Sequence, residues 1–251
     1  MLALMALVQC APAWAGKIIR ICGDERFPPF GFVADDNTMH GATLGLLSQV
    51  FGNIGVRYQV ALMPWVRCLA YVKDGTYQIG IDSYFDEARS HVVDYSRPYY
   101  ALTPYYYFSR KRYPAGLNIK RIEDLKKYRA CGMRGFTYEH YQLSPADIDT
   151  GSTDYATLKM KVKFGLCDYF PAEREVMKGD ALLDQKHVAD ADMGCEPSQI
   201  ASRPQLHFIL TRNDKDMAKL LPLLNQQIEL SDRQGTMQEL VDQTLSALRP
   251  G

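Results

Sequence analysis

The chain has 251 residues, 47% of them hydrophobic and 23% charged, close to the averages for folded soluble proteins and against a disordered chain. At roughly 150 residues per domain, that length allows one large or two modest domains. Twenty-nine Lys and Arg balance 29 Asp and Glu, so no overall basic field draws in nucleic acid, and none is expected as a partner.

Sixteen tyrosines exceed the needs of a core this size, because every buried phenol must find a hydrogen-bond partner. Some of these rings are expected to face a ligand. Residues 1–15 (MLALMALVQCAPAWA) carry no charged side chain and end in Ala13-Trp14-Ala15, which reads as a secretory signal peptide without its usual basic leader. The run is too short to span a bilayer, which takes about 17–25 apolar residues, and no later segment reads as a span. The mature chain is then expected to start near Gly16, outside the cytoplasm. Removing Cys10 leaves five cysteines, so two bridges at most and one spare thiol. No Cys or His spacing supports a zinc site, and no metal or cofactor is expected. An oxidising compartment favours bridges over buried thiols.

Residues 17–22 (KIIRIC) form an apolar run closed by Gly-Asp, a strand and turn. Phe27-Pro28-Pro29-Phe30 is expected to be extended, since each proline fixes its own φ and biases its predecessor away from helix. Residues 41–55 place Leu44, Leu47, Val50, Phe51 and Ile54 at helical spacing, with Gly55 as a stop. Residues 56–62 alternate like a strand, Pro64 opens a helix over 65–73, and 78–82 read as a further strand. Strand and helix alternate, which argues for an α/β layer with a mostly parallel sheet. A β-prone stretch rich in tyrosine covers 99–112. A basic run from Arg110 to Arg129, with eight Lys or Arg and two acids, reads as a solvated face. Residues 158–164 (LKMKVKF) are ambiguous. Strict alternation says strand, yet Tyr155, Leu158 and Val162 also make a helical stripe, and local pattern does not decide. The tail reads as a strand over 206–211, a helix over 217–228 and a last helix over 236–248.

The succession RFPPFGF (26–32), G-x-x-x-G-L-L (41–47), PW-x-R (64–67), the strand with E-A-R (78–89) and DYSRPYY (94–100) resembles the bacterial extracellular solute-binding proteins of family 3. These are the polar-amino-acid binding proteins of ABC importers. MRGFTY (133–138) and GLCD (165–168) extend the likeness to residues 17–248. The resemblance implies a two-lobed periplasmic clamp of type II, each lobe a mostly parallel sheet flanked by helices. It places lobe 1 at 16–108 and 206–251 and lobe 2 at 109–205, joined by a hinge that closes on a solute. It also implies a helix at 158–164.

For the site, the resemblance makes Arg89 the carboxylate fork, a role its planar donors suit. The family's Thr three residues earlier is Asp86 here, a negative charge beside the expected pocket that departs from an ordinary α-amino-acid site. The ammonium partner falls at Glu173, which on its own reads equally as a solvent-facing helix charge. Phe27, Phe30, Trp65 and Tyr84 are candidate walls, with Ser83 and Thr137 as hydroxyls. A ring over an ammonium would add about 0.5–2 kcal/mol. The layout implies bridges Cys22–Cys68 and Cys131–Cys167, with Cys195 free. The expected partners are a small-molecule ligand and an inner-membrane ABC permease, and the chain is expected to be a monomer. No catalytic residues are assigned. The alternatives are a cyclohexadienyl-type dehydratase on the same fold, for which only Glu173 and Asp86 could serve, and a free-standing sensor for a membrane receptor. The absence of G-x-S-x-G, Walker, G-x-G-x-x-G and H-E-x-x-H motifs sets the default to binding.

Overall fold

The computed structural model describes residues 16–183 and 192–249, so the expected signal peptide at 1–15 lies outside the described residues. Strand β1 (Ile18–Asp24) buries Ile19 and Ile21 between exposed Ile18 and Arg20 before its end sinks wholly into the protein. The Pro-Pro segment differs from the extended reading. An X-Pro bond tolerates the cis isomer, and Pro28-Pro29 is cis. The chain turns there, and the Phe30 N–H donates to the Phe27 carbonyl at 2.9 Å. That turn joins β2 (Arg26–Phe27) to β3 (Gly31–Val33), which with β4 (Met39–His40) makes a small antiparallel sheet.

Helix α1 (Ala42–Ile54) presses Leu46, Leu47, Val50 and Phe51 into the core and stops at Gly55, whose φ of 73° is the left-handed conformation that glycine adopts freely. β5 (Arg57–Met63) lies parallel to β1. Pro64 leads into α2 (Trp65–Asp74), and β6 (Ile79–Ser83) returns parallel to β1 on its other side. Short α3 (Glu87–Ser90), β7 (Val93–Tyr95) and β8 (Tyr100–Ala101) follow. Next come β9 (Pro104–Ser109), α4 (Ile122–Leu125), β10 (Ala130–Met133), β11 (Ile148–Ser152), α5 (Tyr155–Lys163), β12 (Tyr169–Glu173), α6 (Arg174–Leu183) and β13 (Met193–Pro197). The chain ends with β14 (Gln205–Thr211), α7 (Met217–Gln234) and α8 (Thr236–Ala247). Helix α7 outruns the predicted 217–228 because nothing breaks it before Gly235, at φ 70°.

These elements make a two-lobed α/β fold. Lobe 1 is a sheet in the order β5-β1-β6-β14-β7, with β8 on β14; lobe 2 is a sheet in the order β11-β10-β12-β9-β13. In each, the first strands pair in parallel, while the strand arriving from the crossover, β14 or β9, runs antiparallel to its neighbours. Tyr-rich β9 pairs with β12 from Pro104 to Phe108, so the chain crosses between Ala101 and Pro104 and not after residue 108. The expected lobe 1 boundary at 108 is therefore late: Tyr106 and Phe108 of β9 pack into lobe 2's own core.

The ambiguous segment 158–164 is helical. Tyr155, Leu158 and Val162, the stripe visible in the sequence, are buried, and Asp154 caps the helix by accepting from the Thr157 N–H at 2.7 Å. The basic stretch from 110 to 129 keeps its cationic side chains exposed, although Arg112 and Arg129 reach across to Asp168 at 2.9 and 3.2 Å. No helix among the described residues is long and apolar enough to cross a membrane.

Cys22 and Cys68 lie at disulfide distance with Cα atoms 5.6 Å apart, as do Cys131 and Cys167 at 5.9 Å, the pairing the resemblance implies; Cys195 is exposed and free. Each bridge stays within one lobe. Non-reducing peptide mapping is expected to recover these two linkages with Cys195 alkylated; any linkage to Cys195 would refute the assignment.

Candidate functional site

The carboxyl ends of parallel strands are where α/β sheets gather ligands, because side chains there project into the crevice beyond the sheet. In lobe 1, β1 delivers Asp24 to that edge and β6 delivers Asp82 and Ser83. Lobe 2 answers with Glu173 at the end of β12 and with Phe136 and Thr137 in the loop after β10.

Where the lobes meet they enclose a cavity of about 20 Å³, room for roughly one water. Asp24, Phe27, Trp65, Tyr84 and Arg89 line it from one side, and Phe136 and Thr137 from the other. The lobes are drawn together. The Phe136 ring stands 6.0 Å from Phe27 and 6.4 Å from Tyr84, both edge-on, and His140 meets Tyr84 at 5.2 Å. Gly135, at φ 81°, passes so near α2 that a β-carbon there would stand 2.6 Å from Val66 Cγ2. Arg26 reaches Asp154 across the gap at 3.6 Å. An amino acid is far larger than this space, so admitting one requires the lobes to part.

Arg89 reaches the cavity from the last turn of α3. Asp86 caps that helix, accepting from the Arg89 N–H at 2.8 Å, and its other oxygen lies 3.5 Å from Arg89 Nη2. Nη1 donates to Ser83 Oγ at 2.7 Å and to the Tyr84 carbonyl at 3.2 Å, and the guanidinium lies 5.9 Å from the centre of the Trp65 ring. Arg89 is thus held over the cavity by its own lobe, with Asp86 balancing part of its charge. Ser83 sits beneath Arg89, fully buried, and does not itself line the cavity.

Glu173 is not a solvent-facing helix charge. It is buried at the end of β12, with one oxygen 3.1 Å from His140 Nε2. The Tyr84 hydroxyl is buried beside Glu173; burial first, and the Glu173 carboxylate second, push its pKa well up. Phe30 is the one predicted wall that the structure does not bring to the cavity. The cis-proline turn directs it into the core, 5.2 Å from Tyr100 and 5.5 Å from Phe27.

Two carboxylates escaped the sequence reading. Asp82, at φ 59°, accepts from Thr43 Oγ1 at 2.6 Å and from the Tyr99 hydroxyl at 2.7 Å, both on Oδ1. Its Oδ2 is buried and has no hydrogen-bond partner among the described residues. Burial drives its pKa up to about 7 against those two hydrogen bonds, with the charge of Asp24 adding to the rise. Burial likewise lifts Asp24 to about 6, opposed by the Arg26 N–H that donates to it at 2.9 Å. The only available signal was position, an acid closing an apolar strand, and turns carry such acids everywhere.

The family model for bacterial extracellular solute-binding proteins, family 3, matches residues 19–247. The chain belongs to that family. Solved structures share the fold at low identity. An amino acid ABC transporter substrate-binding protein, AbpA from Streptococcus pneumoniae, bound to L-arginine, aligns at TM-score 0.74 and 18% identity over 94% of this chain and 98% of that one. A histidine kinase sensor domain similar to periplasmic binding proteins aligns at 0.74 and 16%, over 91% and 96%. The arginine-, lysine-, histidine-binding protein ArtJ from Geobacillus stearothermophilus aligns at 0.71 and 17%, over 90% and 94%. Among curated proteins none matches the sequence.

Proposed function

We propose that this family 3 member is a periplasmic solute-binding protein, exported by the segment at 1–15. It captures a small polar solute, an amino acid or a related carboxylate, and presents it as a monomer to an inner-membrane ABC permease. It performs no chemistry on the solute. The observation that carries this reading is the joint cavity, in which Arg89, Phe27, Trp65 and Tyr84 of one lobe face Phe136 and Thr137 of the other. A site split between two hinged halves is suited to trapping a guest by closure. Nη1 of Arg89 is occupied by Ser83 and Tyr84, and Nη2 stands 3.5 Å from Asp86, a separation longer than a hydrogen bond, so an entering acid group would compete for Nη2 together with Nε. Glu173, Asp86, Ser83, Tyr84, Trp65, Phe27 and Thr137 are proposed to complete the site; Phe30 supports it from behind.

Thermal shift against amino acids, amines, small carboxylates and cyclohexadienyl acids tests this. A solute at 100 times its dissociation constant adds about 2.7 kcal/mol, and product analysis of each hit separates capture from turnover. Arg89→Ala is expected to abolish the shift for carboxylate solutes. A full shift in that variant would show the acid anchor lies elsewhere.

A further inference from the structure

We propose that the end of lobe 2 built by α4 and by the loop from α5 to β12 is a docking face for an anionic phospholipid surface. Phe164 and Leu166 enter the headgroup layer, and lysines and arginines around them meet its phosphates. The inference does not depend on which solute the cleft takes. Phe164 is 68% and Leu166 66% exposed, the two most exposed large apolar side chains among the described residues. They stand on either side of Gly165, at the tip of the loop. Exposed Met160 lies four residues before Phe164, one helical turn away. Exposed Ile122 shares with Leu166 the wall of a groove that Lys126, Tyr128 and Arg129 also line. Single exposed apolar residues are ordinary on a protein surface, whereas several grouped together mark a contact site.

The loop is pinned in this shape. The Gly165 N–H donates to the Val162 carbonyl at 3.1 Å and the Leu166 N–H to the Lys161 carbonyl at 2.8 Å, with Gly165 in the left-handed conformation at φ 74°. Cys167, next in the chain, is bridged to Cys131. Arg112 Nη1 donates to the Cys167 carbonyl at 2.9 Å, and Arg129 Nη2 donates to the Gly165 carbonyl at 2.8 Å. A backbone fixed at this many points presents Phe164 and Leu166 outward with little ordering left to pay for on docking.

Charge decides what covers the tip. The whole chain is net neutral, yet residues 110–129 hold eight Lys or Arg against two acids. Of the acids on this side, Asp168 is taken by Arg112 and Arg129, Asp149 by Lys161 and Asp124 by Lys127, while Asp147 shares the groove with Lys126. Lys120 and Arg121, directly before Ile122, are exposed and make no ion pair among the described residues, and exposed Lys163 adjoins Phe164. The excess is cationic, so the complementary surface is anionic. Lysine is depleted at protein–protein interfaces, whereas apolar side chains rimmed by Lys and Arg suit the headgroup boundary of an anionic bilayer. A protruding tip also fits a deformable lipid layer without needing a matching pocket.

Co-sedimentation of the mature protein with phosphatidylcholine vesicles, and with vesicles of phosphatidylcholine and phosphatidylglycerol, tests this. The expected result is binding to the vesicles that contain phosphatidylglycerol, little to phosphatidylcholine alone, and release at about 1 M salt, where charges are screened beyond about 3 Å. Phe164→Ser with Leu166→Ser should lower partitioning about tenfold or more. Lys120→Gln with Arg121→Gln should lower it several-fold on the phosphatidylglycerol vesicles. All four side chains are exposed, so both variants should keep the parent's thermal midpoint and any shift that a solute induces. No sedimentation with either vesicle, equal binding to both, or binding unmoved by the Phe164 and Leu166 changes overturns the lipid face and leaves solute capture standing. Self-association that those two changes abolish, without vesicle binding, gives the patch to a second copy and likewise overturns it.

Discussion

Replacing Asp82 by Asn should make the solute-free protein more stable at pH 8 and leave it nearly unchanged at pH 4.5. Asp82 has a pKa near 7 in the folded chain against an ordinary value of 3.8, and burial is the largest cause. A carboxyl whose folded pKa is raised holds its proton more tightly in the native state than in the unfolded one. Between pH 4 and 7 the native state therefore binds more protons, and stability falls as pH rises through that window. Three units at about 1.4 kcal/mol each set a ceiling of about 4 kcal/mol. Asp24 titrates in an overlapping range and shares part of the effect, so removing Asp82 alone should recover on the order of 1–3 kcal/mol at pH 8. Asn keeps an oxygen for Thr43 and Tyr99 and tolerates φ 59°. Urea unfolding of both proteins at the two pH values gives the comparison. Parallel losses of stability between pH 4.5 and 8 would mean that Asp82 is ionised at no cost.

The frame of lobe 1 was legible because its punctuation is strong. Gly55 and Pro64 fall where α1 stops and where α2 starts, and each acts through a backbone conformation that local sequence dictates. Segment 158–164 carried two periods at once, and only the sheet it packs on chooses between them: Leu158 and Val162 face the core while Lys159, Lys161 and Lys163 point away from it. The Pro-Pro segment is a turn and not extended because the Phe30 N–H donates back to the Phe27 carbonyl and β2 pairs antiparallel with β3, contacts that local sequence does not announce. Phe30 was misplaced with it. Arg89, Trp65, Tyr84 and Thr137 were nominated through the resemblance and reach one cavity, but His140 lies far from Glu173 in sequence and no local signal joins them. Asp24 and Asp82 were missed for a different reason. Their significance lies in being buried, and burial of an acid at a strand end is decided by the lobe that folds over it.

Removing the bridge in lobe 1 should be the most damaging small change outside the cavity. Cys22 lies near the end of β1 and Cys68 in the first turns of α2, both fully buried and 46 residues apart in sequence. Closing a loop of that length in the unfolded chain is worth about 4 kcal/mol by chain entropy. Cys22→Ala with Cys68→Ala should therefore lower the unfolding free energy by about 2–4 kcal/mol, since the unfolded chain and native relaxation take back part of the entropy. At roughly 2–4 °C per kcal/mol for a chain of this size, the midpoint should drop by about 4–16 °C. A functional consequence follows from what the two ends carry. Two residues beyond Cys22 stands Asp24, and three residues before Cys68 stands Trp65, so the bond ties together two residues of the lobe 1 wall of the cavity. Solute affinity measured well below the midpoint should fall several-fold in the double variant. The corresponding loss of Cys131–Cys167, which joins β10 to the loop before β12 and does not line the cavity, should cost stability and spare affinity. A lobe 1 variant within 1 kcal/mol of the parent, binding solute equally well, would show that packing of β1 against α2 holds that wall without the bridge.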